Sequence, residues 1–410
     1  MLAASTLAAR WLGAGAYGAF ATALTVAGLL GVALQLGLPG LLLRHLGHAR
    51  TAAAQRDDGR SLYVALRRVL LAGGGVGLVA LGAVGLAAWH GGSGVVTSIA
   101  YGGAAAVPLA LLRVVDAWHQ ARGAPIHGHL GDAVLRPVAL IAAIAGGAVL
   151  VRMPSRELAA TLPVLAFAAA WLACLVPLAG RLHAASRAPG AATFSPWQAG
   201  LPLMLAGVLH AVMAGTDVLM LNAIAGDAAA GIYHIASRAA LVLGLVLSAV
   251  NTVLGPRMAA LAAAGDRDGL SRVAATSARS LAIPVLLATP LVTAGAPAAL
   301  ATLCGPAFAA GGPALSLLWL GQFVNLACGP VAVVLNLHDR ARVALRAVAI
   351  GAAANVTLNA LLIPVYGLPG AAAATALGTT LWNVLLAHDL RRGLGIDPTI
   401  LGRAPIGKGV

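Results

Sequence analysis

The sequence predicts an all-α polytopic membrane protein, and three observations support this. Hydrophobic residues make up 60% of the 410 residues and charged residues only 9%, against roughly 45–50% and 25% in soluble domains. The apolar residues form long uniform runs, unlike the ~10-residue alternating segments of a membrane barrel. The basic residues cluster on alternate loops between the runs. Because a helix satisfies its own backbone hydrogen bonds in lipid, we expect the runs to be helices.

Eleven of the runs reach or approach the ~20 apolar residues that cross a bilayer core. They predict complete spans near 19–43, 69–89, 95–112, 133–151, 158–180, 199–225, 230–256, 280–303, 312–337, 345–363 and 369–388. The longest connector, 44–68, has the pattern of an amphipathic segment, and loops such as 90–94 and 364–368 are only a few residues long. No soluble domain fits between the spans.

The basic residues predict the orientation of the spans. Of the 26 lysines and arginines, 22 fall on one set of alternate loops or on the adjoining helix ends, and Arg10, Arg152 and Arg156 fall on the other set. Basic residues prefer the cytoplasmic side, so we expect the C-terminus in the cytoplasm. The remaining basic residue, Arg238, lies inside a predicted span.

The composition also argues against several other functions. The net charge of +14 is dispersed over many short loops, unlike the basic patch of a nucleic-acid-binding domain. Three isolated cysteines, Cys174, Cys304 and Cys328, have no metal-ligand spacing and are typical of small core residues. His119, His127 and His129 gather in one loop without partner acids, which favours a solvated loop over a metal site. We therefore expect no cofactor, no metal, no nucleic-acid partner and no enzymatic activity.

The chain shows an internal repeat. Gly13, Gly18 and Phe20 align with Gly226, Gly231 and Tyr233 at an offset of 213 residues. The offset spans an even number of crossings, so it predicts two six-helix bundles in parallel orientation. Parallel repeats of this kind are a transporter architecture. We predict an N-terminal bundle over 1–195, a C-terminal bundle over 196–388 and a cytoplasmic tail over 389–410.

The same offset predicts an incomplete first helix. The counterpart of the span 199–225 would run from about −14 to 12 by the offset of 213. Met1 would then fall in the middle of a helix, and the complete protein would have twelve spans.

Four segments, in their order and spacing, resemble a known family. They are Leu12-Gly13-Ala14-Gly15-Ala16-Tyr17-Gly18, Thr216–Leu221 with Ala230–Tyr233, Gly305–Phe308, and Asn359–Ala372. They resemble the "LLGPxxYG", "ADxLLL…GxY", "GPxF" and "NLLLIPxYGxxGAA" motifs of bacterial polysaccharide flippases, in the multidrug/oligosaccharidyl-lipid/polysaccharide exporter superfamily. The departures are the missing first helix and Ala14, where the family usually has proline near the turn.

The resemblance implies alternating access between two bundles and passage of a lipid-linked oligosaccharide, typically on a polyprenyl diphosphate, across the bacterial inner membrane. The glycan would serve a surface polysaccharide such as capsule, exopolysaccharide or the O-antigen of lipopolysaccharide. Membrane lipid would be the other partner, and we expect a monomer. Such a substrate requires a cavity that is open to lipid and carries cationic or polar groups.

Asp217 and Arg238 are the leading candidates for this cavity. They lie symmetrically about the turn at 227 and 228, which predicts a depth of ~15 Å in a helical hairpin, near the bilayer midplane. Charges at that depth pair with one another or face a watery cavity. Two interpretations remain open: an ion pair that fixes helix packing, or an anion contact by Arg238 that Asp217 orients.

Weaker candidates lie nearby. His234 stands one turn from Arg238, His210 stands two turns from Asp217, and Asn222 and Gln35 lie within spans. Packing or interhelical hydrogen bonding explains each of them equally well or better.

Three other functions remain alternatives. A cation-coupled multidrug exporter of the same superfamily would need buried carboxylates, and Asp217 is the only acid well inside a predicted span. A lipid II flippase would be expected to carry two further spans. A membrane glycan polymerase, ligase or glycosyl transferase would need a large outer loop or interfacial catalytic acids, and the sequence shows neither.

Overall fold

Every regular element of the described residues is helical. The computed structural model describes residues 2–47, 52–90, 94–124, 127–150, 155–187, 196–338 and 340–402. The chain divides into two compact units, Met1–Gly231 and Ile232–Val410. The boundary between them falls inside one long helix, so the boundaries that the sequence predicts at 195 and 388 stay predictions.

The first unit contains the N-terminal helices. They are α1 (Leu2–Leu34), α2 (Leu38–Gly47), α3 (Ala52–His90), α4 (Gly94–Ala121), α5 (His127–Leu130), a π-helical turn (Gly131–Leu135), α6 (Arg136–Leu150), α7 (Arg156–Leu175), a 3₁₀ turn (Val176–Leu178), α8 (Ala179–Arg187) and the first part of α9 (Pro196–Ala263). Alanine and leucine, the strongest helix formers, dominate these segments.

The second unit contains the remaining helices. They are the rest of α9, α10 (Arg267–Cys304), a 3₁₀ turn (Pro306–Gly311), α11 (Gly312–Cys328), α12 (Val331–Leu337) and α13 (Ala341–Leu394). Residues 264–266 form a short turn between α9 and α10, and the side chain of Asp266 caps α10 by accepting a hydrogen bond from the Gly269 amide at 2.7 Å.

The helices confirm the predicted polytopic fold. Ten helices of the described chain are long and apolar enough to cross a membrane. The last of them, 342–394, contains both of the final two predicted spans and breaks between them at Gly367, with φ 58° and ψ −127°. The first predicted span, 19–43, is divided between α1 and α2 by a turn in which Leu36 has a φ of 52°.

Several helices extend beyond the apolar runs that predicted them. α3 begins at Ala52, so the predicted amphipathic connector 44–68 contributes to α2 and α3. α4 continues to Ala121, nine residues past the predicted end at 112. A polar sequence stays helical where helix propensity and packing favour it, although hydropathy marks only the apolar part.

The backbone supports the predicted repeat. Gly13 breaks α1 with φ 70° and ψ 171°, and Gly226 breaks α9 with φ 85° and ψ 176°. These two glycines are the pair that the offset of 213 aligns. Only glycine adopts this region of the map without a steric penalty, so the same residue performs the same bend in both repeats.

Each unit has its own core. In the first unit Trp118 of α4, 1% exposed, packs with Leu38, Leu42 and Leu62 of α2 and α3. In the second unit the fully buried Leu335, Leu386 and Leu390 join α12 to α13. These apolar clusters hold the helices of each unit together.

The chain after α13 packs against the second unit. α13 ends because Gly395 takes the left-handed conformation, with φ 70°, a common helix stop. Residues 395–402, here called the C-terminal strap, then bury Ile396 completely. The Ile400 amide donates to the carbonyl of Ala327 at 2.9 Å. Part of the segment that was predicted as a tail is therefore docked, and residues 403–410 lie outside the described chain.

Candidate functional site

A partly buried chain of polar contacts surrounds the break at Gly226 in the first unit. The Asn222 amide donates to the hydroxyl of Thr22 at 2.7 Å and to the carboxylate of Asp227 at 2.7 Å. Asp227 is held from the other side by Arg156, with Nη2 at 2.8 Å from Oδ1 and Nη1 at 2.6 Å from Oδ2. This fork geometry is the strong form of an ion pair, and it ties α7 and α1 to α9.

Asn222 therefore has packing partners as well as a candidate role. Its side chain is 2% exposed, and its Oδ1 atom has no hydrogen-bond partner. The predicted role of Asn222 as a cavity residue stays a prediction, because the amide that it would offer to a substrate is already used by Thr22 and Asp227.

Asp217 lies on α9 in the first unit, nine residues before Gly226. Its side chain is 2% exposed, and Oδ1 accepts a hydrogen bond from the Val218 amide at 2.8 Å. A buried carboxylate inside a membrane helix is costly and marks a functional or structural partner. The structure confirms that this acid is buried.

Arg238 and His234 form a hydrogen-bonded pair on the part of α9 that belongs to the second unit. Arg238 Nε donates to His234 Nε2 at 3.3 Å. His234 is 2% exposed, whereas Arg238 is partly exposed. Since Nε2 accepts this bond, the imidazole is neutral and carries its proton on Nδ1. His234 therefore holds the arginine side chain without neutralising its charge.

The predicted pairing of Asp217 with Arg238 stays a prediction. The two residues belong to different units. What the structure establishes is the environment of each: a buried carboxylate on one part of α9, and a histidine-held guanidinium on the other.

A hydrogen-bonded polar cluster lies beside His234 in sequence. The Thr375 hydroxyl accepts two hydrogen bonds, one from the Tyr233 hydroxyl at 3.2 Å and one from the Asn355 amide at 3.1 Å. Asn359 donates to Asn355 at 3.1 Å. Both asparagines are fully buried, so the cluster fixes α9 against both parts of α13. The sequence analysis did not identify Thr375, which is one hydroxyl in an alanine-rich run.

The remaining predicted site residues are Gln35 and His210. Gln35 lies in the turn between α1 and α2, is 8% exposed and has a buried Nε2 atom with no hydrogen-bond partner. His210 is exposed on α9. Their predicted contact with a substrate stays a prediction.

Asp116 is a buried acid that the sequence analysis missed. It lies near the end of α4 and is 5% exposed, and its Oδ2 atom accepts a hydrogen bond from the Asp132 amide at 3.2 Å. Asp132 in turn pairs with Arg136 one helical turn later. Because the predicted span ends at 112, the sequence places Asp217 alone among the acids well inside a span, and this stays a prediction. Asp116 adds a second buried acid near the end of the longer helix α4.

No described residues suggest a metal site, as no group of three or more His, Cys, Asp or Glu side chains lies close enough to share an ion. The rings of His119 and His127 stack with centroids 6.0 Å apart, and the side chain of His129 lies outside the described ones. Cys304 and Cys328 are buried free thiols and Cys174 is partly buried.

Comparison with known proteins gives one relative of the sequence and a consistent fold. No family model matches the chain. Over 189 residues, 45% of this chain, the sequence is 29% identical to a protein of Haloferax volcanii described as a probable flippase, AglR. That alignment spans 39% of the relative's length.

The fold is similar to solved transporter structures. An inward-facing multidrug resistance MATE family transporter of the MOP superfamily superimposes with a TM-score of 0.74 over 96% of this chain and 93% of its own, at 14% identity. The lipid II flippase MurJ, in an inward closed conformation, gives 0.62 over 95% and 84%, at 12% identity. These matches confirm the predicted fold, a multi-pass bundle of membrane-length helices like those of the two solved structures.

Proposed function

We propose that the chain is a flippase that moves a lipid-linked oligosaccharide, carried on a polyprenyl diphosphate, between the leaflets of a bacterial inner membrane. The sequence relative described as a probable flippase and the transporter fold support this proposal. The arginine-rich loops support a cytoplasmic C-terminus, because basic loops stay on that side. Alternating access, surface polysaccharide synthesis and a monomeric state are parts of the same proposal.

The observation that carries the proposal is the position of Arg238, a cation within a helix of membrane-spanning length. A diphosphate needs a cation inside an apolar path, and arginine is the side chain best suited to phosphate oxygens. Arg238 Nε donates to His234, and the planar guanidinium carries further N–H donors whose geometry suits phosphate oxygens. Because Arg238 is partly exposed, a headgroup can reach it without displacing the helix.

The decisive experiment neutralises this charge and keeps Asp217. We expect Arg238→Gln to abolish flipping of a fluorescent polyprenyl-diphosphate oligosaccharide in proteoliposomes, with an unchanged elution profile of the purified protein. Arg238→Lys, which retains the charge, should keep part of the activity. Full activity of Arg238→Gln would refute the proposed role of Arg238.

A cation-coupled multidrug exporter is the second candidate, and two observations favour it. The fold is similar to that of a multidrug resistance MATE transporter, and Asp116 supplies a second buried carboxylate. The two candidates differ in their response to ion gradients. Efflux of a cationic dye that requires a Na⁺ or H⁺ gradient and is lost in Asp116→Asn would favour the exporter. Flipping without dye transport would favour the flippase.

A further inference from the structure

A groove with a cationic end lies between α9 and α10 in the second unit. Its volume is about 600 Å³, within the range of ~300–1,000 Å³ that is typical of ligand pockets. The lining residues come from both helices: Ala249, Val250, Val253, Leu254 and Arg257 of α9, and Arg272, Val273, Thr276, Ser277, Ser280 and Leu281 of α10. We call this cavity the α9–α10 groove.

The spacing of the lining residues shows that the groove is built by two helix faces. The lining residues of α9 and those of α10 both advance in alternating steps of one and three residues, which is the pattern of one helix face. Since the two helices are joined by the short turn 264–266, they run in opposite directions. Arg257 and Arg272 therefore lie at the same end of the groove, the end nearest the turn.

The two arginines lie about one and a half helical turns from the ends of their helices. Arg257 precedes the end of α9 by six residues and Arg272 follows the start of α10 by five, so both stand ~8–9 Å from the helix ends at ~1.5 Å per residue. A bilayer has ~5–8 Å of headgroup region on each side of its hydrocarbon core. With the turn 264–266 at the membrane surface, arginines at this distance would reach the lipid phosphates.

Within the part of the chain that the structure describes, no carboxylate pairs with the arginines at this end. Both arginines are exposed, and among the described residues neither forms an ion pair within 4.0 Å. The nearest acid on the same helix face, Asp268, is also exposed. The lining itself contains two cations and no carboxylate, which suits a ligand with an anionic head.

The rest of the groove suits an aliphatic chain. From Arg257 back to Ala249 the α9 face is apolar over eight residues, or ~12 Å. Thr276 and Ser280 of α10 are exposed residues of the lining, and the Ser277 hydroxyl donates to the Ala274 carbonyl at 2.8 Å. The apolar part of the groove therefore matches an acyl chain, and the two arginines at its end match an anionic headgroup.

We infer that the α9–α10 groove binds an anionic phospholipid of the surrounding bilayer, with its phosphate between Arg257 and Arg272 and one acyl chain along Val250, Val253 and Leu254. Basic pockets between membrane helices bind anionic headgroups in this way. The site lies within the second unit and does not depend on the proposed transport substrate. A resident lipid here would fix the turn between α9 and α10 to the membrane surface.

Native mass spectrometry of the protein, released from nanodiscs of mixed phosphatidylglycerol and phosphatidylcholine, tests the inference. We expect the wild-type protein to retain phosphatidylglycerol in preference to phosphatidylcholine. Arg257→Gln and Arg272→Gln should each weaken that preference about fivefold, the effect of one basic residue near a lipid surface. Arg257→Lys and Arg272→Lys should keep most of it.

Arg267→Gln is the matched control. Arg267 lies at the start of α10, is exposed and does not line the groove. Equal retention of phosphatidylglycerol in wild type and both groove variants would overturn the inference, and so would an equal loss in Arg267→Gln. Selective retention of an added polyprenyl phosphate over phosphatidylglycerol would also overturn it, because the site would then serve the substrate.

Discussion

Gly18 and Gly231 pack directly against each other in the first unit, and they are the pair that the internal repeat aligns. A Cβ atom on Gly231 would lie 2.6 Å from the Ala14 carbonyl oxygen and 2.8 Å from the Gly18 nitrogen. A Cβ atom on Gly18 would run into the Asp227 carbonyl. Since Ala14 and Asp227 also differ by 213 residues, the crossing is symmetric: each glycine meets the residue that precedes the other by four positions.

This contact predicts a sharp difference between neighbouring glycines. Gly18→Ala and Gly231→Ala should each destabilise the protein by about 1–3 kcal/mol, as overpacking does, because the backbone that they would meet cannot turn away as a side chain can. The melting temperature of the purified protein in detergent measures the effect.

Gly15→Ala is the control for both substitutions. Gly15 is an exposed helical residue with no heavy atom within 4 Å of a Cβ. Alanine there should be neutral or stabilising by up to ~1 kcal/mol through helix propensity. If Gly18→Ala has the same melting temperature as Gly15→Ala, the two helices do not cross as closely as the structure shows.

The sequence was sufficient to predict the spans and the repeat, because both depend on local patterns. The length of each apolar run predicts a helix that is long enough to cross a membrane. The offset of 213 pairs Gly13 with Gly226 from the sequence alone, and the two glycines share one conformation. The ends of helices were less predictable. α4 carries Asp116 past the apolar run, since a helix continues in polar sequence for as long as packing favours it.

The polar contacts were the least predictable part of the site. The bond between Arg238 and His234 follows from a spacing of four residues on one helix. The network of Tyr233, Thr375 and Asn355 joins residues that are far apart in the chain. Without the fold, nothing distinguishes Thr375 from any other hydroxyl in an apolar run.

The ion pair of Arg156 and Asp227 predicts a stability effect at the break in α9. Arg156→Ala removes the fork that holds Asp227 and leaves that carboxylate with Asn222 alone. We expect a loss of about 1–3 kcal/mol, the cost of leaving a partly buried polar group unsatisfied. Thermal unfolding followed by circular dichroism measures it.

A charge-swapped double variant tests whether the loss of stability comes from the ion pair or from the individual side chains. Arg156→Asp combined with Asp227→Arg restores opposite charges and should recover part of the stability that either single change loses. Arg10→Ala, which removes an exposed arginine of α1, should stay within ~0.5 kcal/mol of wild type. A double variant no more stable than the single variants would argue against a specific pair.

The C-terminal strap is expected to open in acid. Arg391 Nε lies 3.0 Å from Asp397 Oδ1, and the amide and hydroxyl of Thr399 donate to the same oxygen at 3.1 and 2.9 Å. Partial burial alone would raise the pKa of Asp397, but the hydrogen bonds from Arg391 and Thr399 outweigh burial and lower the pKa below the ordinary value of 3.8. The charged form is therefore the one that the docked strap prefers.

The sign of the pH dependence follows from the lowered pKa. The contribution of Asp397 to docking is fully present above pH ~4, the ordinary aspartate pKa, and is lost as the pH falls through the lower folded value. At neutral pH, Asp397→Asn should act like protonation and raise hydrogen exchange at the Ile400 and Gly402 amides. Asp268→Asn, an exposed acid of α10, should leave that exchange unchanged. If Asp397→Asn exchanges like wild type, the strap is held by its other contacts, which include the buried Ile396 and the hydrogen bonds of Ile400 with Ala327 and Arg279.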